Sequence, residues 1–399
     1  MPLNYLLEFM IAFDQAYDIV NEAAGVLKSE TVELADASGR VLATDVFSDM
    51  DMPPFNKAAV DGYACRRTDL DRELEVMEVI PAGKMPEKVI APGKCSKVMT
   101  GGVVPDGSDT VVMVEHTEET GKNRIRFVKD KTSPNICYTG EDIKANDRVL
   151  EKGTIIRPQE IAVLASVGVV RPEVYKQPVV GVISTGDELV EPGIKPGLSQ
   201  IRNSNAVQLM AQVKGCHAIP KYFAIAKDTE ESTRVLIAGA LEKSDVVLLT
   251  GGVSMGDFDY VPKVLDELGI SIKFKSIAVQ PGRPTVFGTK EGKYLFGLPG
   301  NPVSSFVQFE LLVKPLIYRL MGAGYEAKAL KLPMGKTYVR KKARRKSFLP
   351  VTIKDGKIWP VEYHGSAHIH SYIYADGIVA IEIGNTTLEE GTLVHVRQI

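Results

Sequence analysis

Apolar residues between about 177 and 325 gather into short continuous runs at 179–184, 218–225, 246–250 and 294–298. Stretches with apolar residues at helical spacing lie between and after them, at 204–214, 230–243, 259–268 and 302–321. Continuous runs of strand length mark strands buried on both faces, and helices alternating with them predict a mainly parallel, doubly wound sheet with right-handed crossovers. Residues 5–25 repeat at helical spacing up to Gly25, and 31–46 alternate like a short strand and turn region. From 47 to 147 the chain is rich in Gly and Pro, with apolar runs at 97–99 and 110–114, the texture of a small β-rich domain. The tail beyond Gly322 and Gly324 alternates at 348–353, 378–383 and 393–396, which predicts a small β-barrel or sandwich.

Composition narrows the picture. The 399 residues exceed what one core usually serves. With 48 Lys and Arg against 50 Asp and Glu, there is no global field for nucleic acid or membrane, so an anion must be held locally. The N-terminal apolar run is broken by Glu8 and Asp14, and no stretch has membrane-spanning length. Cys65, Cys95, Cys137 and Cys216 form no C-x-x-C pair, which argues against a zinc knuckle or disulfide framework and fits a cytoplasmic protein.

Three glycine loops follow predicted parallel strands. The first carries Ser184, Thr185, Gly186, Asp187 and Glu188; the second Gly251, Gly252, Ser254, Gly256 and Asp257; the third Pro299, Gly300, Asn301 and Pro302, followed by Ser304. Loops at the carboxyl ends of such strands converge on one edge, and glycines with helix N-termini suit phosphate or oxyanion groups. Taken singly, the first and third loops have ordinary turns as their lesser reading, and the three together weigh further against it. The acids Asp187, Glu188, Asp228, Asp257 and Asp259 crowd the same edge, and carboxylates beside phosphate imply a bridging hard cation such as Mg²⁺. Asp228 has a second reading: Asp228-Thr229-Glu230-Glu231 has the spacing of a capping box. The segment 51–64, with Pro53-Pro54 and Asp61-Gly62, holds more restricted positions than a simple turn requires.

The strings P-P-F-N-K-A-A-V-D-G-Y-A, T-G-G-V-V-P-D-G, G-E-D-I, S-T-G-D-E-L, T-G-G-V-S-M-G-D-F-D-Y and L-P-G-N-P-V-S together span nearly the whole chain. In this order they resemble the molybdopterin molybdenumtransferase family, known as MoeA and, in its animal form, the gephyrin E domain. The resemblance implies a multidomain α/β plus β fold: a doubly wound MogA-like α/β domain (1–26 and 173–326), an elongated linking domain (27–46 and 148–172), an inserted β-rich domain (47–147) and a C-terminal β-barrel (327–399). It implies a homodimer whose site lies between the doubly wound domain of one subunit and the inserted domain of the other, with a molybdopterin adenylyltransferase as a further candidate partner. The implied reaction inserts molybdate, or tungstate, into adenylated molybdopterin and releases AMP. By motif position Asp61, Thr100, Asp142 and Glu188 match activity residues; Asp228 and Asp259 match cleft acids; and Ser184, Arg283 and Ser304 are oxyanion candidates. Two positions depart from the pattern: Ile136-Cys137-Tyr138-Thr139 replaces a stretch that usually carries arginine, and the usual K-P-G reads Gln280-Pro281-Gly282.

Other signals read as structural. His364, His368 and His370 lack a completing ligand set, the basic run 340–346 reads as a solvated strand face, and Trp359 reads as core packing. Two other functions compete: adenylation of molybdopterin, marked by pyrophosphate release from ATP, and a noncatalytic scaffold.

Overall fold

The computed structural model describes residues 10–252, 261–363 and 365–399. At its centre a six-stranded sheet runs in the order Ile219–Ala226, Val179–Thr185, Val246–Thr250, Lys293–Leu298, Val286–Lys290 and Ser271–Phe274. The first four strands are parallel. Strand Val286–Lys290 pairs antiparallel with both of its neighbours. These last two strands escaped the apolar-run criterion, because Ser271–Phe274 is an edge strand with Ser271 and Lys273 exposed, and Val286–Lys290 is apolar only at Val286 and Phe287 before ending on Thr289 and Lys290.

Both faces of the sheet are covered, which accounts for its unbroken apolar runs. Val246 and Leu248 join the core on one face; Val247 and Leu249 join that on the other. All four are fully buried, each worth roughly 1.5–3 kcal/mol relative to exposure. Helices Ser204–Gly215 and Glu230–Lys243 cross between parallel strands, as the spacing predicts. The long apolar stretch from 302 divides into helix Pro302–Gln308, a π-helical turn Phe309–Val313 and helix Lys314–Leu320. Helix Phe13–Ala23 buries Ala16 and Val20 in the same core. The first residues of its predicted span, 5–9, lie outside the described residues, and it ends two residues before Gly25, with Ala24 already extended.

Two short antiparallel pairs tie the segments flanking the inserted region: Ser29–Thr31 with Glu173–Tyr175, and Val46–Phe47 with Arg148–Leu150. The expected strand at 31–46 is mostly turn and 3₁₀ helix, because Ala37, Leu42 and Val46 pack on helix Pro158–Ser166 and not across a broad sheet. Between these ties lies a second six-stranded sheet, ordered Thr110–Met113, Gly62–Cys65, Lys94–Val98, Glu73–Ile80, Arg124–Phe127 and Thr117–Gly121. Its two faces bury separate clusters, with Ala64 on one and Tyr63 on the other.

The C-terminal strands form a mixed sheet through Lys346–Lys354, Gly377–Ile381, Leu393–Gln398 and Ala329–Pro333, with Lys357–Pro360 also on Lys346–Lys354. A bridge between Met334 and Ile358 links the end of Ala329–Pro333 to Lys357–Pro360. Trp359 packs over Gly335, where an added Cβ would lie 2.5 Å from its ring. Val279–Gln280 from the doubly wound region joins this sheet in parallel, pairing with Lys346 and Ser347. A central loop is thereby held by the C-terminal domain.

Candidate functional site

The three glycine loops meet at the carboxyl edge of the central sheet. Gly251 N–H donates to Leu298 O at 3.2 Å, and a Cβ built on Gly300 would lie 3.7 Å from Gly251 Cα. Gly251 and Gly252 have φ of +87° and +62°. A Cβ at Gly251 would sit 2.6 Å from Thr185 O, so glycine is required both for the left-handed turn and for this approach. Asn205 Nδ2 donates to Gly300 O at 2.7 Å. Glu188 folds its carboxyl back over Gly186, whose built Cβ would fall 2.4 Å from Glu188 Oε2.

Asp187 and Asp228 are bound reciprocally. Asp187 N–H donates to Asp228 Oδ2 and Asp228 N–H to Asp187 Oδ1, both at 3.2 Å. The loop after Ile219–Ala226 is thus fixed to the first glycine loop. The helix cap belongs to Thr229, whose hydroxyl accepts from Ser232 N–H at 3.3 Å, so Asp228 is not the N-cap. Among the described residues no three His, Cys, Asp or Glu side chains form a ready metal cluster. Ser254, Gly256, Asp257 and Asp259 lie outside the described residues.

Ser184 is fully enclosed. It accepts from Thr250 Oγ1 at 3.2 Å and donates to Asn203 Oδ1 at 3.0 Å, and so braces the loop from beneath. Thr185, Pro299 and Ser304 are also buried, whereas Gly300, Asn301 and Arg283 are exposed. Pro302 is partly buried. Asn301 Nδ2 reaches Ser366 Oγ at 2.9 Å, bringing a C-terminal loop to the third glycine loop.

The sequence reading missed Asn203, Asn205 and Arg345. Asn203 caps helix Ser204–Gly215, accepting from Ala206 N–H at 3.3 Å, and the N-S-N string at that helix start was the available signal. Arg345 donates to Val279 O at 3.2 Å from the C-terminal side. Burial first, then the positive charge of Arg283, holds its guanidinium below its ordinary pKa. Arg345 therefore lies near the turn that carries Arg283, close enough for the two charges to oppose one another.

The basic run is not a solvated face throughout. Arg340 is buried and donates to the carbonyls of Asn385, Arg345 and Glu382 at 2.6, 2.9 and 2.6 Å. Lys346 pairs with Asp14 and Glu382 at 3.2 and 3.0 Å. Of the histidines, His368 and His370 line a C-terminal groove of about 800 Å³ with Thr352, Ala367 and Tyr374. His364 lies outside the described residues.

In the inserted region, Thr100 donates its backbone N–H and its hydroxyl to Asp61 Oδ1, at 2.6 and 2.7 Å. The backbone bond most, then the hydroxyl and Lys97, keep the Asp61 carboxyl below its ordinary pKa. The restricted segment leading to Asp61 is stapled on both sides. Ala58 N–H donates to Gly102 O at 2.9 Å, and Met52 accepts Asp142 N–H at 3.1 Å. Asp61, Thr100 and Asp142 are all exposed. Among the described residues no hydrogen bond joins them to the glycine loops of the same chain.

This assembly of a doubly wound α/β domain, an inserted β-rich region and a C-terminal mixed sheet is a multidomain α/β plus β fold with a glycine-loop edge. Three family models cover it in order: "MoeA N-terminal region (domain I and II)" at residues 11–168, "Probable molybdopterin binding domain" at 181–319, and "MoeA C-terminal region (domain IV)" at 335–399. The molybdopterin molybdenumtransferase of Staphylococcus epidermidis is 39% identical over 306 residues, 74% of this chain and 73% of that one. That of Bacillus subtilis is 39% identical over 303 residues, 73% and 70% of the two chains. A crystal structure of a molybdopterin biosynthesis MoeA protein from Pyrococcus horikoshii OT3 superposes with a TM-score of 0.84 at 30% identity, covering 98% of this chain and 100% of that one. The chain belongs to the MoeA family, and it is a transferase enzyme.

Proposed function

We propose that this protein acts in molybdenum cofactor biosynthesis as a molybdopterin molybdenumtransferase, inserting molybdate or tungstate into adenylated molybdopterin with release of AMP. The observation that carries the reading is the convergence of the three glycine loops, with Asp187 reciprocally bound to Asp228. Glycine loops suit the phosphates of the adenylated substrate, and an exposed guanidinium such as that of Arg283 suits a tetrahedral dianion. The sulfurs that take the metal belong to the substrate, so the protein's part is positioning and charge compensation.

Glu188 and Asp228, with Asp257 and Asp259 outside the described residues, are carboxylates of the hard-donor type that would hold Mg²⁺. When bound, Mg²⁺ neutralises charge on the phosphate oxygens. Asn203 and Asn205 hold the first and third loops, and Ser184 braces the first from below. In this reading the protein is a cytoplasmic homodimer with domain limits near 26, 46, 147, 172 and 326. Asp61, Thr100 and Asp142 close the site from the partner subunit, consistent with the lack of any hydrogen bond, among the described residues, between them and the loops of their own chain.

The test mixes the purified protein with adenylated molybdopterin, Mg²⁺ and either molybdate or tungstate, following AMP release and metal retained on the pterin. Oxyanion-dependent AMP release with a metallated product is expected. Binding without turnover, or pyrophosphate production from ATP, would overturn the reading.

A further inference from the structure

The loop bearing Arg283 and the helix bearing Ser304 are joined by one side chain. Gln308 closes helix Pro302–Gln308 and lies one turn beyond Ser304, on the same helix face. It is completely buried. Its Nε2 donates to Pro281 O at 2.9 Å. Gly282, at φ +102°, lies directly on it: an added Cβ would be 2.4 Å from Nε2 and 2.6 Å from Cγ. The rest of the turn is equally fixed. Thr285 Oγ1 donates to Gly282 O at 2.7 Å, and the backbone N–H groups of Ile277 and Thr285 donate to Arg283 O at 3.0 and 2.9 Å.

Packing alone does not explain the amide. Gln308 Oε1 is buried and has no hydrogen-bond partner among the described residues. A buried orphan acceptor costs stability; a methionine or leucine of similar size would remove it, but would leave the buried Pro281 carbonyl without its donor. What glutamine supplies that they cannot is the donor to Pro281.

We propose that Gln308 is a positioning residue that sets the spacing between Arg283 and the Ser304 helix and thereby tunes the affinity for a tetrahedral metal oxyanion; this rests on the oxyanion reading of that edge given above. It touches no substrate and acts through the Pro281–Gly282–Arg283 turn.

The experiment titrates the full-length protein with sodium tungstate alone by calorimetry, for wild type, Gln308→Met, Arg283→Ala and the double variant, with thermal melts alongside. The expected result is a roughly tenfold weaker tungstate affinity in Gln308→Met with a melting temperature close to that of wild type, since an orphan at Oε1 is exchanged for one at Pro281 O. No further loss is expected when Gln308→Met is added to Arg283→Ala, because residues acting through one another are non-additive. Turnover should show the same defect as a raised KM for the oxyanion with kcat nearly unchanged. Unaltered tungstate affinity in a folded Gln308→Met, or additive losses in the double variant, overturns the proposal while leaving the oxyanion site standing. Wild-type tungstate binding that is absent, or indifferent to Arg283→Ala, overturns the oxyanion reading itself and the proposal with it. Should Gln308→Met fail to fold, Gln308→Leu is read by the same criteria, and an unfolded Gln308→Leu as well would assign the residue to packing and end the proposal.

Discussion

Thr100 gives both of its donors, the backbone N–H and the hydroxyl, to a single oxygen of Asp61. One carboxylate oxygen is thereby fixed in place while the side chain stays at the surface. A carboxylate held in this way keeps its charge in acid and presents its second oxygen in a set direction.

The Asp61 carboxyl is expected to titrate below the ordinary aspartate range. Its depressed folded-state pKa makes its stabilising contribution fully present above the unfolded value of about 3.9, and lost as pH falls through the folded value. Thr100→Val should raise the pKa only part of the way, since the larger cause, the backbone N–H at position 100, remains. Carboxyl NMR titration of both proteins checks this, and an Asp61 that titrates identically in the two would contradict it. Asp61→Asn is expected to abolish AMP release without unfolding the protein.

Gly251→Ala should cost roughly 1–3 kcal/mol of stability, because a left-handed turn is imposed on a residue with a Cβ. It should also lower AMP release more than tenfold, as that Cβ meets Thr185 O across the site. Gly193, which has open space around it, is the control: Gly193→Ala should change neither. Equal melting temperatures and turnover for the two alanine variants would refute the close-approach argument.

Glu310 anchors the C-terminal strand to the helical layer. Its carboxylate accepts from Gln212 Nε2 at 2.9 Å and Lys314 Nζ at 2.8 Å, and its carbonyl accepts from Arg397. Burial alone would lower the pKa of Lys314, but the Glu310 charge and hydrogen bond outweigh it and raise it. Glu310→Ala leaves that partly covered ammonium without its partner and should destabilise the protein by about 1–3 kcal/mol. Lys314→Ala added to it should recover part of the loss. Denaturant unfolding of the single and double variants decides, and a harmless Glu310→Ala would sink the idea.

Thiol chemistry should single out Cys137. Burial pushes the thiols of Cys65, Cys95 and Cys216 up to about 12, so at neutral pH they are protonated and enclosed. Cys137 is only partly covered. An aromatic disulfide reagent should therefore titrate one thiol quickly in the native protein and all four after denaturation. Rapid reaction of more than one native thiol would count against the burial.

Local pattern determined the elements whose neighbours in space are also neighbours in chain logic. The runs at 246–250 and 294–298 could be nothing but buried strands, because their alternate residues must enter two different cores. The glycines at 251 and 252 announced a loop, because the left-handed backbone they adopt favours glycine. The motif order was likewise legible, since a family resemblance is a property of sequence.

Tertiary structure decided what depends on partners distant in the chain. Asp228 carries a capping-box spacing, yet Thr229 takes the cap and the Asp228 carboxylate goes to Asp187 N–H, a choice that local spacing cannot rank. Ser184 looks like a ligand residue in its loop and becomes a buried brace only because Asn203 and Thr250 enclose it. Arg345, one residue in an undistinguished basic run, reaches the edge of the site because Val279–Gln280 pairs with the C-terminal sheet. A hydrogen bond between residues 66 positions apart leaves no periodic trace in the sequence, because its energy depends on where the folded backbone places both groups and not on what surrounds either one along the chain.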